Sequence, residues 1–149
     1  SRLVSEDEKD YGVRAFLNLG HTIAHAIEKA SAYEISHGDA VAIGLYVVTK
    51  ATGAKKLSER LYRTLTINGL PWSCDIPKEE ILAQIALDKK RQGDTIKIVV
   101  PIRIGECEIR EMALDEAKEF LSKAYFISPL HICSIISLNL KIFLFLVLV

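Results

Sequence analysis

Three of the four histidines in this 149-residue chain lie close together: His21, His25 and His37. His21 and His25 are spaced i, i+4, which puts both imidazoles on one face of a helix. His37 heads the next helical segment, just before Gly38 and Asp39, so an antiparallel helix pair brings it back beside His21. Two imidazoles so placed suit one divalent metal ion, although the same spacing also suits an ordinary half-buried polar contact. Two His do not close a tetrahedral zinc site; a third protein ligand, often a carboxylate, is required. The run His21-Thr22-Ile23-Ala24-His25 is not the HExxH of zinc proteases, because no Glu lies between the two His. Glu28, in the next turn, is placed either to orient His25 or simply to face solvent.

Arg14, Asn18, His21 and His25 form an i, i+4, i+7, i+11 series. On a helix running through Gly20 they make one continuous polar stripe. A cation, an amide and two imidazoles on that stripe suit an anionic, hydroxylated small molecule. A solvated face is more often rich in Lys and Glu. Further on, Asp88-Lys89-Lys90-Arg91 with Gln92-Gly93 is a basic knot at a helix end. Cations there complement the helix dipole, or one Lys reaches out as a phosphate clamp. Cys74 and Cys107 read as small core or loop residues. No GxGxxG or P-loop is present, so any nucleotide cofactor has to be held elsewhere.

The elements that must position these groups follow from periodicity. Residues 1–12 are a polar, acidic lead-in. From Val13 to about Ala32 apolar residues recur every three or four positions, the period of an amphipathic helix. Gly20 interrupts it, which points to a close contact or to a helix start there. A turn at Tyr33–Gly38 precedes a helix over Asp39–Thr52 that is apolar almost all round and so predicted to be buried. Residues 55–68 form an amphipathic helix ended by Asn68-Gly69. Pro77 opens a fourth helix, Pro77–Asp88, with Glu79 and Glu80 near its positive end. Thr95–Pro101 and Glu106–Glu111 pair as a hairpin across Arg103-Ile104-Gly105. A last helix covers Ala113–Tyr125. The predicted fold class is mainly α, a helical domain with one small β-hairpin.

Composition narrows the function classes. Nineteen basic and nineteen acidic side chains exclude a strongly basic nucleic-acid binder, and no Lys/Arg-rich run suggests a local one. An apolar fraction of 50% argues against disorder. Three scattered Cys without a CxxC pair make a reducing, cytoplasmic setting the default. The charge is not evenly spread. Residues 126–149 hold one charged residue, Lys141, and three of the five Phe. Two units are therefore expected: a water-soluble body over 1–125 and an unrelated apolar tail over 126–149. Ile132–Val149 approaches spanning length, but Lys141 near its middle costs roughly 2.5–3.5 kcal/mol on insertion, so a membrane anchor is not the favoured reading. The start at Ser1, with no basic-plus-apolar signal region, reads as the interior of a longer protein.

Two stretches go further than spacing. Arg14…Leu17-Asn18-Leu19-Gly20-His21-Thr22…His25-Ala26-Ile27-Glu28, then His37-Gly38…Val41…Gly44, closely resembles the signature of the 3-dehydroquinate synthase family. Its pattern reads approximately R-x-x-L-N-x-G-H-[ST]-x-x-H-A-x-E, then H-G-x-x-V-x-x-G. Ala86-Leu87-Asp88-Lys89-Lys90 and Ile98-Val99-Val100-Pro101…Ile104-Gly105 resemble its later landmarks, and Asp7-Glu8…Gly12 an earlier one. The likeness covers about residues 3–125.

That resemblance implies a carbon–oxygen lyase of the shikimate pathway to aromatic amino acids. The family converts 3-deoxy-D-arabino-heptulosonate 7-phosphate into 3-dehydroquinate and phosphate, with NAD and a divalent metal, usually zinc or cobalt. Oxidation of a secondary hydroxyl by NAD, phosphate elimination, return of the hydride and an intramolecular aldol step are the implied sequence. By the same resemblance His21 and His37 are the two metal ligands, the third being a Glu upstream of Ser1. His25 and Asn18 contact the substrate phosphate with Lys89, or alternatively Lys90, and Arg14 holds the carboxylate. The nucleotide-binding domain of the family, one metal ligand and a substrate Lys find no counterpart here, and Asp39 stands where many members have Glu. No turnover is therefore expected of this polypeptide alone, and full-length members are expected to be homodimers. Rival readings are another NAD- and metal-dependent sugar-phosphate cyclase, of the 2-deoxy-scyllo-inosose synthase type, a metal-dependent polyol dehydrogenase, and a non-enzymatic truncated remnant.

Overall fold

The structure is a computed structural model and describes residues 15–89 and 95–124. Arg14, Lys90, the rest of the basic knot, the acidic lead-in and the 126–149 tail lie outside the described residues, as does the Lys89 side chain. Among the described residues a 3₁₀ turn, Ala15–Asn18, comes first. Four helices follow: α1 (His21–Ala30), α2 (His37–Ala51), α3 (Lys55–Ile67) and α4 (Lys78–Lys89). Strands β1 (Thr95–Arg103) and β2 (Glu106–Ala113) pair antiparallel, and α5 (Leu114–Ser122) closes the described chain.

The helix start and the close contact that Gly20 pointed to are both found. Gly20 has φ +83°, a left-handed conformation that glycine adopts without a Cβ penalty, and α1 starts immediately after it. The polar stripe that a helix running through Gly20 would make is therefore broken between Asn18, in the 3₁₀ turn, and His21 and His25, in α1. The other predicted helices and the hairpin form close to their expected bounds.

α1 turns Ile23, Ala24, Ala26 and Ile27 inward, against α2. α2 is buried along most of its length, as its apolar composition requires, and its one inward hydroxyl, Thr49, donates back to the Leu45 carbonyl at 2.7 Å. Ile81 and Ile85 of α4 complete the core on one side. On the other side stand Ile96, Ile98 and Val100 of β1, and Phe120 and Leu121 of α5. A smaller cluster gathers Tyr46, Leu65 and Trp72 between α2, α3 and the loop after it.

Both ends of the α1–α2 connection are fixed by local hydrogen bonds. Tyr33 donates from its backbone to the Glu28 carbonyl and Ala32 to that of Lys29, which is a Schellman closure with Ala32 in the glycine position. Ala32 and Tyr33 both have positive φ, an uncommon arrangement for two successive non-glycine residues. The Ser36 hydroxyl then caps α2, accepting from the Asp39 amide and donating to the Asp39 carboxylate at 2.8 Å. α3 ends in a Schellman closure too, with Gly69 at φ +68° and the Leu70 amide bonded to the Leu65 carbonyl.

Candidate active site

The antiparallel return of α2 along α1 places His37 beside His21. Their ring centroids are 5.5 Å apart, and His25 stands 6.1 Å from His21 and 6.2 Å from His37. Two imidazoles on one tetrahedral ion hold their ring centres roughly 5 Å apart, given metal–nitrogen distances of about 2.0–2.1 Å. The His21–His37 pair matches that spacing better than either pair that includes His25. Among the described residues no group of three His, Cys, Asp or Glu side chains forms a complete metal site. The donor set fits a divalent ion that takes two imidazoles here and a further ligand from outside the described residues.

The outer nitrogens point to the same assignment. Nδ1 of His37 lies 3.0 Å from the half-buried Glu28 carboxylate, and Nδ1 of His21 lies 3.4 Å from the Leu19 carbonyl. An acceptor on Nδ1 fixes the tautomer that leaves the Nε2 lone pair for a metal. Glu28, weighed above as a support for His25, is thus committed to His37. It reaches across because α1 and α2 approach so closely, which spacing along one helix does not reveal.

That closeness has a backbone cause. Gly20 and Gly44 meet where the two helices come together; a Cβ built on Gly20 would stand 2.7 Å from the Leu45 nitrogen. Larger residues at either position would separate the helices that carry the imidazoles.

His25 is exposed and opens on a cleft of about 540 Å³. Thr22 and Asp88 share its near wall, and Thr95, Lys97 and Glu111 of the hairpin make the far wall. The end of α4 is tied to α1 by an ion pair between Lys29 and Asp88. α4 is described as far as Lys89, one residue beyond Asp88 of the near wall. Asn18, exposed, ends the 3₁₀ turn, which lies against both strands. The hairpin wall was not singled out in the sequence; its signal is the outward alternation of Thr95 and Lys97 around Ile96. Burial raises the thiols of Cys74 and Cys107 above their usual range, and burial with neighbouring Tyr62 raises the Tyr46 phenol.

Comparison with known proteins decides the lineage. The family model described as 3-dehydroquinate synthase C-terminal matches residues 1–91. The chain belongs to this family. The chain is 40% identical over 129 residues to 3-dehydroquinate synthase of Streptococcus sanguinis, covering 82% of this chain and 36% of that protein. It is 42% identical over 126 residues to the enzyme of Clostridium kluyveri, covering 80% of this chain and 35% of that one. This member of the 3-dehydroquinate synthase family therefore spans about a third of the length of those relatives. A crystal structure of 2-deoxy-scyllo-inosose synthase complexed with carbaglucose-6-phosphate, NAD+ and Co2+ shares the fold. The TM-score is 0.57 at 23% identity, over 72% of this chain and 33% of that one. Mainly helical with one hairpin, the architecture is that of the dehydroquinate synthase-like cyclases.

Proposed function

We propose that this chain is the metal- and substrate-holding part of a 3-dehydroquinate synthase. The reaction is conversion of 3-deoxy-D-arabino-heptulosonate 7-phosphate to 3-dehydroquinate and phosphate, a phosphate-eliminating lyase step in a cytoplasmic shikimate pathway. The observation that carries the reading is the His21–His37 pair at 5.5 Å, with the Nδ1 atoms of both rings facing acceptors and His25 beside them.

His21 and His37 would hold a zinc or cobalt ion through Nε2, the third ligand coming from outside the described residues. Such an ion supplies Lewis acidity toward a substrate hydroxyl, and NAD, bound elsewhere in the assembled enzyme, takes and returns the hydride. His25 remains outside the metal pair and faces the cleft, where an imidazole donates to phosphate oxygens and stabilises the charge that grows as phosphate departs. Asn18 adds an amide donor, and Lys89, with Lys90 as the alternative, adds a cation at the end of α4. Arg14 suits the substrate carboxylate, because its fork bonds both oxygens. The assembled enzyme is a homodimer, and the chain by itself does not turn over.

The test is a chimera in which residues 1–125 replace the matching segment of the Streptococcus sanguinis relative. Phosphate release from the seven-carbon keto-acid phosphate, with NAD and zinc or cobalt, supports the reading. A folded, metal-loaded chimera without phosphate release overturns it. Turnover only of a sugar phosphate lacking the carboxylate assigns the chain to another cyclase of the same fold.

A further inference from the structure

The far wall of the cleft beside His25 carries a cation that none of the roles above uses. β1 alternates there: Ile96 and Ile98 are buried in the core, while Thr95 and Lys97 face outward. Lys97 sits directly opposite Glu111 in the strand register, so their side chains share one face. Thr95 donates from Oγ1 to one Glu111 oxygen at 2.7 Å. The other oxygen lies 3.9 Å from Lys97 Nζ, an ion pair longer than a hydrogen bond. The ammonium, on a side chain 70% exposed, thus keeps its N–H donors for a ligand while the carboxylate holds it at the cleft.

The charges on the walls define what that cation does. Asp88, Lys97 and Glu111 are the charged side chains that line the cleft among the described residues, and Asp88 is already paired with Lys29. Without Lys97, Glu111 would face an incoming anion unpaired, and like charges repel. We propose that Lys97 is a further binding residue for the anionic group that His25 faces. This rests on reading the cleft as the site of the substrate phosphate.

Inorganic phosphate is the probe. The whole chain is titrated with it while the backbone amide resonances of the cleft-lining Thr22, Thr95 and Ile96 are followed by NMR. Lys97→Ala should raise the dissociation constant about fivefold, in line with loss of one exposed ionic contact, and Lys97→Arg should restore it to within about twofold. Glu111→Gln, which keeps the bond from Thr95 but removes the charge, should bind phosphate at least as well as the unaltered chain. Unchanged affinity in Lys97→Ala, with affinity lost in His25→Ala, overturns the role of Lys97 and leaves the cleft reading standing. Unchanged affinity in His25→Ala, or no binding by the unaltered chain, overturns both. Equal loss in Lys97→Ala and Lys97→Arg removes the charge argument and overturns the proposal. Tighter binding of calcium than of phosphate assigns the cleft to cations and overturns it as well.

Discussion

Gly44 lies against the carbonyl oxygen of Gly20: a Cβ on Gly44 would stand 2.3 Å from that oxygen and 3.1 Å from the Ala24 nitrogen. Both neighbours are backbone, so neither yields as a flexible side chain would. Gly44→Ala is expected to force α1 and α2 apart, at a cost of about 1–3 kcal/mol. The His21–His37 gap should widen with it, weakening Co2+ binding. Urea unfolding and cobalt titration check both; an unaltered midpoint together with unaltered affinity refutes the account.

The two imidazoles of the pair are predicted to be equivalent for the metal and His25 to differ from them. His21→Ala and His37→Ala should each abolish the visible absorption of bound Co2+, whereas His25→Ala should leave it. Glu28→Ala, which frees Nδ1 of His37, should weaken metal affinity about tenfold. If His25→Ala abolishes the cobalt spectrum as completely as His37→Ala, the assignment of ligands is wrong.

The ion pair of Lys29 with Asp88 joins two elements far apart in sequence, but both side chains are more than a third exposed. Its worth to stability is therefore held to less than about 1 kcal/mol. Lys29→Ala should shift the urea midpoint slightly at low ionic strength and not at all in 1 M salt, where screening shortens the reach of charge to about 3 Å. A large shift that persists in high salt would mean that the Lys29 stem, not its charge, holds α4.

Much of this arrangement could be read from the residues. The helix α2 declares itself by being apolar all round, α3 by its Asn68-Gly69 end, and β1 by alternation around Ile96 and Ile98. The neighbourhood of His21 and His37 followed from the antiparallel helix pair and from the family resemblance. What escaped was whatever depends on two segments meeting. Helical spacing offered Glu28 either His25 or solvent, yet it bonds His37, which lies on the next helix. The polar stripe through Asn18 required a helix running through Gly20, and of the two readings Gly20 allowed, its positive φ and the helix start after it give the other. The wall of Thr95, Lys97 and Glu111 belongs to a cleft that no single element defines.

Cys74 gives a pH-dependent handle on stability. Burial raises its thiol above the ordinary value, with Asp75 adding to the rise and a hydrogen bond at the Ile76 backbone opposing it. The folded state therefore favours the protonated thiol, and its contribution is present in full below the unfolded-state value. Stability should fall as pH climbs past about 9.0, the ordinary thiol value, because the unfolded chain ionises first. Alkylation of Cys74 at pH 8, followed by peptide mapping, should be slower than that of a model thiol peptide. Equal rates would contradict the burial.

The turn at Ala32 and Tyr33, with its Schellman closure and the Ser36 cap, makes the two metal-facing helices a local hairpin that needs no distant strand to align it. An ion seated on that hairpin gains its remaining ligand only when another stretch of polypeptide arrives. On the function proposed here, metal affinity would then report on that closure, the ion tying this hairpin to residues outside it. Removing it with a chelator should release that tie before it unfolds the hairpin.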